Sequence, residues 1–89
     1  MSTKQRIEAR LTSGLAPLTL DVLDESHLHA GHAGAREGGH THYRIHIVSE
    51  SFVGKGKVER HRMVYGLLKD ELAAGVHALA LHTRAPGEA

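Results

Sequence analysis

The chain has 89 residues, no cysteine, nine histidines and a formal charge of +1 with the histidines neutral. That length allows one domain with one small core. The lack of cysteine excludes disulfides, a thiol nucleophile and any self-contained thiolate metal cage. Near-neutral charge argues against strong non-specific nucleic-acid binding, although a local basic patch stays open.

The first segment, 2–15, reads as a short helix. Ser2 and Gln5 fit a capping box. Ile7, Leu11 and Leu15 form one narrow apolar stripe. Gly14 is the expected stop, and Pro17 forbids continuation. Residues 18–23 then alternate, with Leu18, Leu20 and Val22 on one face, as in a half-buried strand.

A stretch of about sixteen residues follows, DESHLHAGHAGAREGGH, rich in glycine and histidine. Loops this long in small domains are usually functional or disordered. Alternation resumes over 42–48. Tyr43, Ile45 and Ile47 point one way; His42, Arg44 and His46 point the other. FVGKGK at 52–57 punctuates the chain as a turn or short helix.

Residues 58–74 carry the strongest helical pattern, with Val58, His61, Val64, Tyr65, Leu68 and Leu72 gathered on one face. His61 is expected to pack there with a hydrogen bond near the sheet. Gly75 ends the helix. VHALALHT at 76–83 is a third strand with Leu79 and Leu81 on one side. The tail, about 84–89, is expected to fray.

The order α-β-β-α-β predicts an α+β domain spanning 1–89. A long helix between the second and third strands makes them parallel by a right-handed crossover. The first two form an antiparallel pair. Helices cover one face of a three-stranded mixed sheet and leave the other wet. The starts of strands two and three then share one end of the sheet. The loop histidines, His42 and His77 should meet there.

Four blocks resemble the BolA family: DES at 24–26, THYRIHIVSESFVG at 41–54, ERHRMVYGLLKDEL at 59–72 and VHALALHT at 76–83. RHR-x-VY and VHALAL are the most specific. The resemblance implies a KH-like fold of the class II type. It also implies a monothiol glutaredoxin partner and a [2Fe–2S] cluster shared with that glutaredoxin and glutathione. Iron–sulfur maturation or trafficking, iron regulation, stress response, morphology and DNA-binding transcriptional control are the family's associated roles.

Histidines can replace two thiolates on one iron of such a cluster and raise its potential. A chain without thiols cannot hold the cluster alone, so none is expected in the isolated protein. By resemblance one metal ligand is His77, which opens the last strand. The other is His29, three residues after Ser26, with His32 or His27 as substitutes. A solvated histidine-rich turn that picks up stray zinc, nickel or copper is the simpler reading of the loop.

Lys55, Lys57, Arg60 and Arg62 crowd the start of the long helix and could serve nucleic acid. The KH clamp uses G-x-x-G, whereas Gly54-Lys55-Gly56 is G-x-G, so that clamp is in doubt. No nucleophile, base and orienting group are arranged for catalysis. The expectation is a cytoplasmic, non-enzymatic adaptor with no membrane role. The alternative is a KH-like DNA-binding regulator.

Overall fold

The computed structural model describes residues 2–25, 42–76 and 78–88. The elements, in order, are α1 (Thr3–Leu15), β1 (Thr19–Asp24), β2 (His42–Val48), a 3-10 turn (Glu50–Phe52), α2 (Lys57–Leu67), α3 (Lys69–Ala73) and β3 (Ala78–Arg84). No described helix is long and apolar enough to cross a membrane.

Helix α1 begins as its sequence dictates. The Ser2 hydroxyl accepts from the Gln5 N–H at 3.1 Å, and the Gln5 side chain accepts from the Ser2 N–H at 2.9 Å. This reciprocal pair satisfies two amides that a helix start leaves orphaned. Ile7, Leu11 and Leu15 are all buried. The helix ends at Leu15, one residue beyond the expected stop. Ala16 takes the left-handed conformation at φ 43° and donates its N–H to the Thr12 carbonyl. Gly14 has a spatial role instead: a Cβ there would stand 2.6 Å from both Leu67 methyl carbons.

The sheet has the order β1-β2-β3. β1 and β2 are antiparallel, from Thr19 opposite Val48 to Asp24 opposite Tyr43. β2 and β3 are parallel, from His42 opposite Ala78 to Val48 opposite Arg84. The mixed sheet predicted from element order is therefore present. Val22, Tyr43, Ile45 and Ile47 point to the helices and are buried with Phe52, Val64 and Leu68. Leu18 departs from its expected role: it precedes the paired strand and is 60% exposed.

The long helix is two helices. At Leu68 the backbone turns to φ −100°, ψ 15°, and its N–H is shared between the Val64 and Tyr65 carbonyls at 3.1 and 3.2 Å. Leu68 remains buried, and α3 turns toward α1. There Arg10 reaches Asp70 at 3.0 Å and Glu71 at 3.5 Å. The buried face also differs from the expected one. Val64 and Leu68 lie in the core and Met63 and Leu67 pack against it, while Val58 is 66% and Tyr65 39% exposed. Met63 and Leu67 pull the helix round, which turns Val58 and Tyr65 outward. His61 is half-buried, as a packed histidine should be. Its Nε2 has no hydrogen-bond partner among the described residues, so the expected bond is not made there.

Ser49 joins three elements. Its Oγ donates to the Leu15 carbonyl at 2.6 Å and accepts from the Ser51 N–H at 3.1 Å. Its own N–H bonds the Arg84 carbonyl at 3.0 Å. A hydroxyl fits because it both donates and accepts within a site of 0% exposure.

Candidate functional site

Two regions carry the chemistry-bearing side chains. The first is the corner where β2 and β3 begin. His42 opens β2 and pairs with Ala78, the first residue of β3. Glu25 closes β1 by donating its N–H to the His42 carbonyl at 2.9 Å. Both ends of the histidine-rich segment are thus tied to one end of the sheet, and β3 starts at that same end. His27, His29, His32 and His77 themselves lie outside the described residues. The corner follows from the topology: a parallel β2–β3 pair sets both strand starts side by side.

Beside this corner, the open sheet face carries a polar row. Glu25 Oε2 accepts from Arg44 Nε at 3.0 Å. Arg44 Nη1 lies 3.0 Å from His82 Nε2. His46 and His82, cross-strand partners in register, stack with ring centroids 4.3 Å apart and planes 7° apart. A guanidinium only donates, so His82 Nε2 must be the accepting, unprotonated nitrogen. Partial desolvation lowers the His82 pKa below 6.5, and the positive charge it would share with His46, Arg44, Arg84 and Lys57 lowers it further. No group of three or more potential ligands for a metal ion occurs among the described residues.

Tyr43 lies on the opposite, helix-facing side. Its hydroxyl is buried without a hydrogen-bond partner among the described residues. Burial raises its pKa above 10.0, and the Asp24 carboxylate raises it further. Thr3 approaches the hydroxyl and eases this shift without reaching hydrogen-bond geometry.

The second region is a groove of about 390 Å³ lined by Lys55, Lys57, Arg60, Leu81, His82, Thr83 and Arg84. Three of the four predicted basic residues line it. Arg62 is exposed and lies outside this lining. Arg60 is already committed. Its guanidinium holds both Glu88 carboxylate oxygens, at 2.6 and 2.8 Å. Its Nε donates to the Lys55 carbonyl at 2.8 Å, and the group lies 5.8 Å from the Phe52 ring centroid. With a side chain only 12% exposed, Arg60 is a clasp rather than a spare cation.

That clasp engages Glu88, within the segment for which the sequence suggests fraying. Ala85 is buried, and the Glu88 carboxylate also accepts from the Ala85 N–H at 2.8 Å. The Arg60 hydrogen bonds, with the Ala85 bond second, hold the Glu88 carboxyl down at about 2. Lys55 is paired less tightly, 3.6 Å from Glu59.

Sequence reasoning missed the His46–His82 stack and the Arg60–Glu88 clasp. The first was recoverable in principle. The alternation of HYRIHIV and ALALHT, slid into parallel register, sets the two histidines side by side. The second spans 28 residues without a local signature.

Helices on one face of a mixed three-stranded sheet, with β2 and β3 starting at one end, define a KH-like α+β domain. The model of the family described as BolA-like protein matches residues 11–88, and the chain belongs to that family. It is 42% identical to the DNA-binding transcriptional regulator BolA of Escherichia coli K12 over 83 residues, which cover 93% of this chain and 75% of that protein. It is 45% identical over 91 residues to SufE-like protein 1 of Arabidopsis thaliana, covering 98% of this chain but only 24% of that longer protein. The solved BolA domain of SufE1 from the same plant superposes with a TM-score of 0.90 at 44% identity, covering 100% of this chain and 98% of that one.

Proposed function

We propose that this chain is a non-catalytic adaptor that binds a monothiol glutaredoxin and accepts or shares a [2Fe–2S] cluster as cargo. His77 and a loop histidine, His29 with His32 as the alternative, would be its ligands. The observation that carries the reading is the corner: His42 is paired with Ala78, and the Glu25 N–H is bonded to His42. It supports the reading because Glu25, His42 and Ala78, the described residues that border those histidines in sequence, lie at one end of the sheet. The donor set is compatible with a cluster shared with a thiolate-bearing partner. With no cysteine, the chain offers imidazoles only, and the thiolates must come from the partner and glutathione. The resident residues would orient the imidazoles and leave the iron's remaining positions to the partner.

The test is titration of the chain into cluster-loaded glutaredoxin with glutathione, followed by visible circular dichroism. A new spectrum is expected, and it should be lost in a His29→Ala, His77→Ala double variant. No spectral change, or the same change in the double variant, would overturn the proposal.

The basic groove and the name of the E. coli relative favour a second reading, a DNA-binding regulator. Lys55, Lys57 and Arg62 would then contact phosphates, with Arg60 released from Glu88 to join them. Such binding weakens steeply with salt. Gel shifts in which replacing Lys55, Lys57 and Arg62 leaves both affinity and salt slope unchanged would exclude it.

A further inference from the structure

β3 is an edge strand, with β2 as its only strand neighbour among the described residues. Two hydrogen bonds fix which of its backbone groups face outward. The Arg84 carbonyl accepts from Ser49 at the end of β2, so Arg84 and its alternate residues face inward to the sheet. The Thr83 carbonyl accepts from Arg60 Nη1 at 3.4 Å, on the groove side. Backbone polarity alternates along a strand. Leu79, Leu81 and Thr83 therefore turn their N–H and C=O outward. Leu81 and Thr83 line the groove, between the cations Lys55, Lys57 and Arg60 on one side and Arg84 on the other.

A strand edge that has no strand partner among the described residues, bonded only through the Thr83 carbonyl to Arg60 and flanked by cations, suits an extended chain with anionic side chains. The edge supplies alternating donors and acceptors, which another peptide backbone satisfies and a phosphate chain does not. Outward carbonyls repel phosphate oxygens, whereas they accept from peptide N–H groups. The molecule already shows this chemistry in part. Its own Glu88 sets a carboxylate on Arg60, a residue of the groove wall, and on the Ala85 N–H.

We propose that the outer edge of β3 is a docking site for an extended acidic peptide segment of a partner protein. The segment adds as a fourth strand. Its carboxylates meet Lys55, Lys57 and Arg84, and Glu88 competes from within for Arg60. Main-chain pairing supplies affinity in this mode of recognition, and the flanking charges supply selectivity. The surface runs along the outer edge of β3 from Leu79 onward, next to the corner assigned to the cluster, but its test uses no metal and no glutaredoxin, so either reading can fail alone.

The test uses the full chain, labelled with nitrogen-15, and a capped decapeptide of alternating Glu and Val. Peptide binding should shift the Leu79 and Leu81 amides and slow their hydrogen exchange. Affinity should fall at least tenfold with a Gln-Val peptide, with a peptide N-methylated along one edge, and in the Lys57→Glu, Arg84→Glu double variant. Glu88→Gln should bind a few-fold tighter, because the resident carboxylate no longer competes. Three results would each overturn the proposal. One is no binding at millimolar peptide, which would leave the cations as guards against edge-to-edge aggregation. Another is equal affinity for the N-methylated peptide. The third is tighter binding of a ten-nucleotide thymidine strand than of the acidic peptide, which would make the groove a nucleic-acid site.

Discussion

Replacing Ser49 with alanine should be among the most damaging small changes in this protein. The site is fully buried, so water cannot take over the bond to Leu15. One buried group is stranded, the Leu15 carbonyl, which accepts from Ser49 Oγ at 2.6 Å; the Ser51 N–H, on an exposed residue, loses its 3.1 Å cap. An unsatisfied buried polar group costs about 1–3 kcal/mol. Losing a side-chain cap costs about 1 kcal/mol more. The expected loss is therefore about 2–4 kcal/mol, a large share of the roughly 5–15 kcal/mol that holds a domain together. The melting midpoint should fall by about 10–25 °C, at roughly 4–8 °C per kcal/mol for a domain this small. Urea unfolding followed by far-UV circular dichroism gives the number directly. Ser51→Ala serves as the control: that side chain is exposed, and only its backbone N–H is used. A Ser49→Ala loss below about 0.5 kcal/mol, with an unchanged m-value, would show that the three-element junction does not depend on this hydroxyl.

Two further outcomes follow from local geometry. Gly66 lies within α2, and a Cβ there would meet nothing within 4 Å. Gly66→Ala should stabilise the protein by about 0.5–1 kcal/mol through helix propensity and a less disordered unfolded chain, and a lower urea midpoint would contradict this. The Arg60–Glu88 clasp carries a pH signature. The folded Glu88 pKa, about 2, lies below its ordinary 4.5. Its contribution is thus fully present above about pH 4.5 and is lost as pH falls toward 2. The stability difference between the natural chain and Glu88→Gln should be flat above that window and shrink within it. A difference that stays constant from pH 6 to 2 would rule out the clasp.

The elements that were legible in the sequence are those whose signal is local. The Ser2–Gln5 box, the Ile7–Leu11–Leu15 stripe and the alternation of Tyr43, Ile45 and Ile47 each state their structure within a few residues. The parallel β2–β3 pair was also legible, because crossover handedness and helix length leave few alternatives. What failed depended on packing between distant segments. The bend at Leu68 answers to α1 and Arg10. The outward turn of Val58 and Tyr65 answers to Met63 and Leu67, which compete for the same core. The hold on Glu88 has no local signature either, because its partner Arg60 lies far upstream. For the site, topology alone led to the corner. The edge groove needed hydrogen-bond parity, which composition does not record.

The tie between Glu25 and His42 has a consequence for how such a protein changes over time. Once the two ends of a connection are bonded to the same sheet end, its length matters little to the fold. Doubling a flexible loop costs only about 0.6 kcal/mol. Substitutions or insertions between residues 25 and 42 should therefore cost the fold little, because the Glu25–His42 bond and the sheet beyond it do not depend on what lies between them.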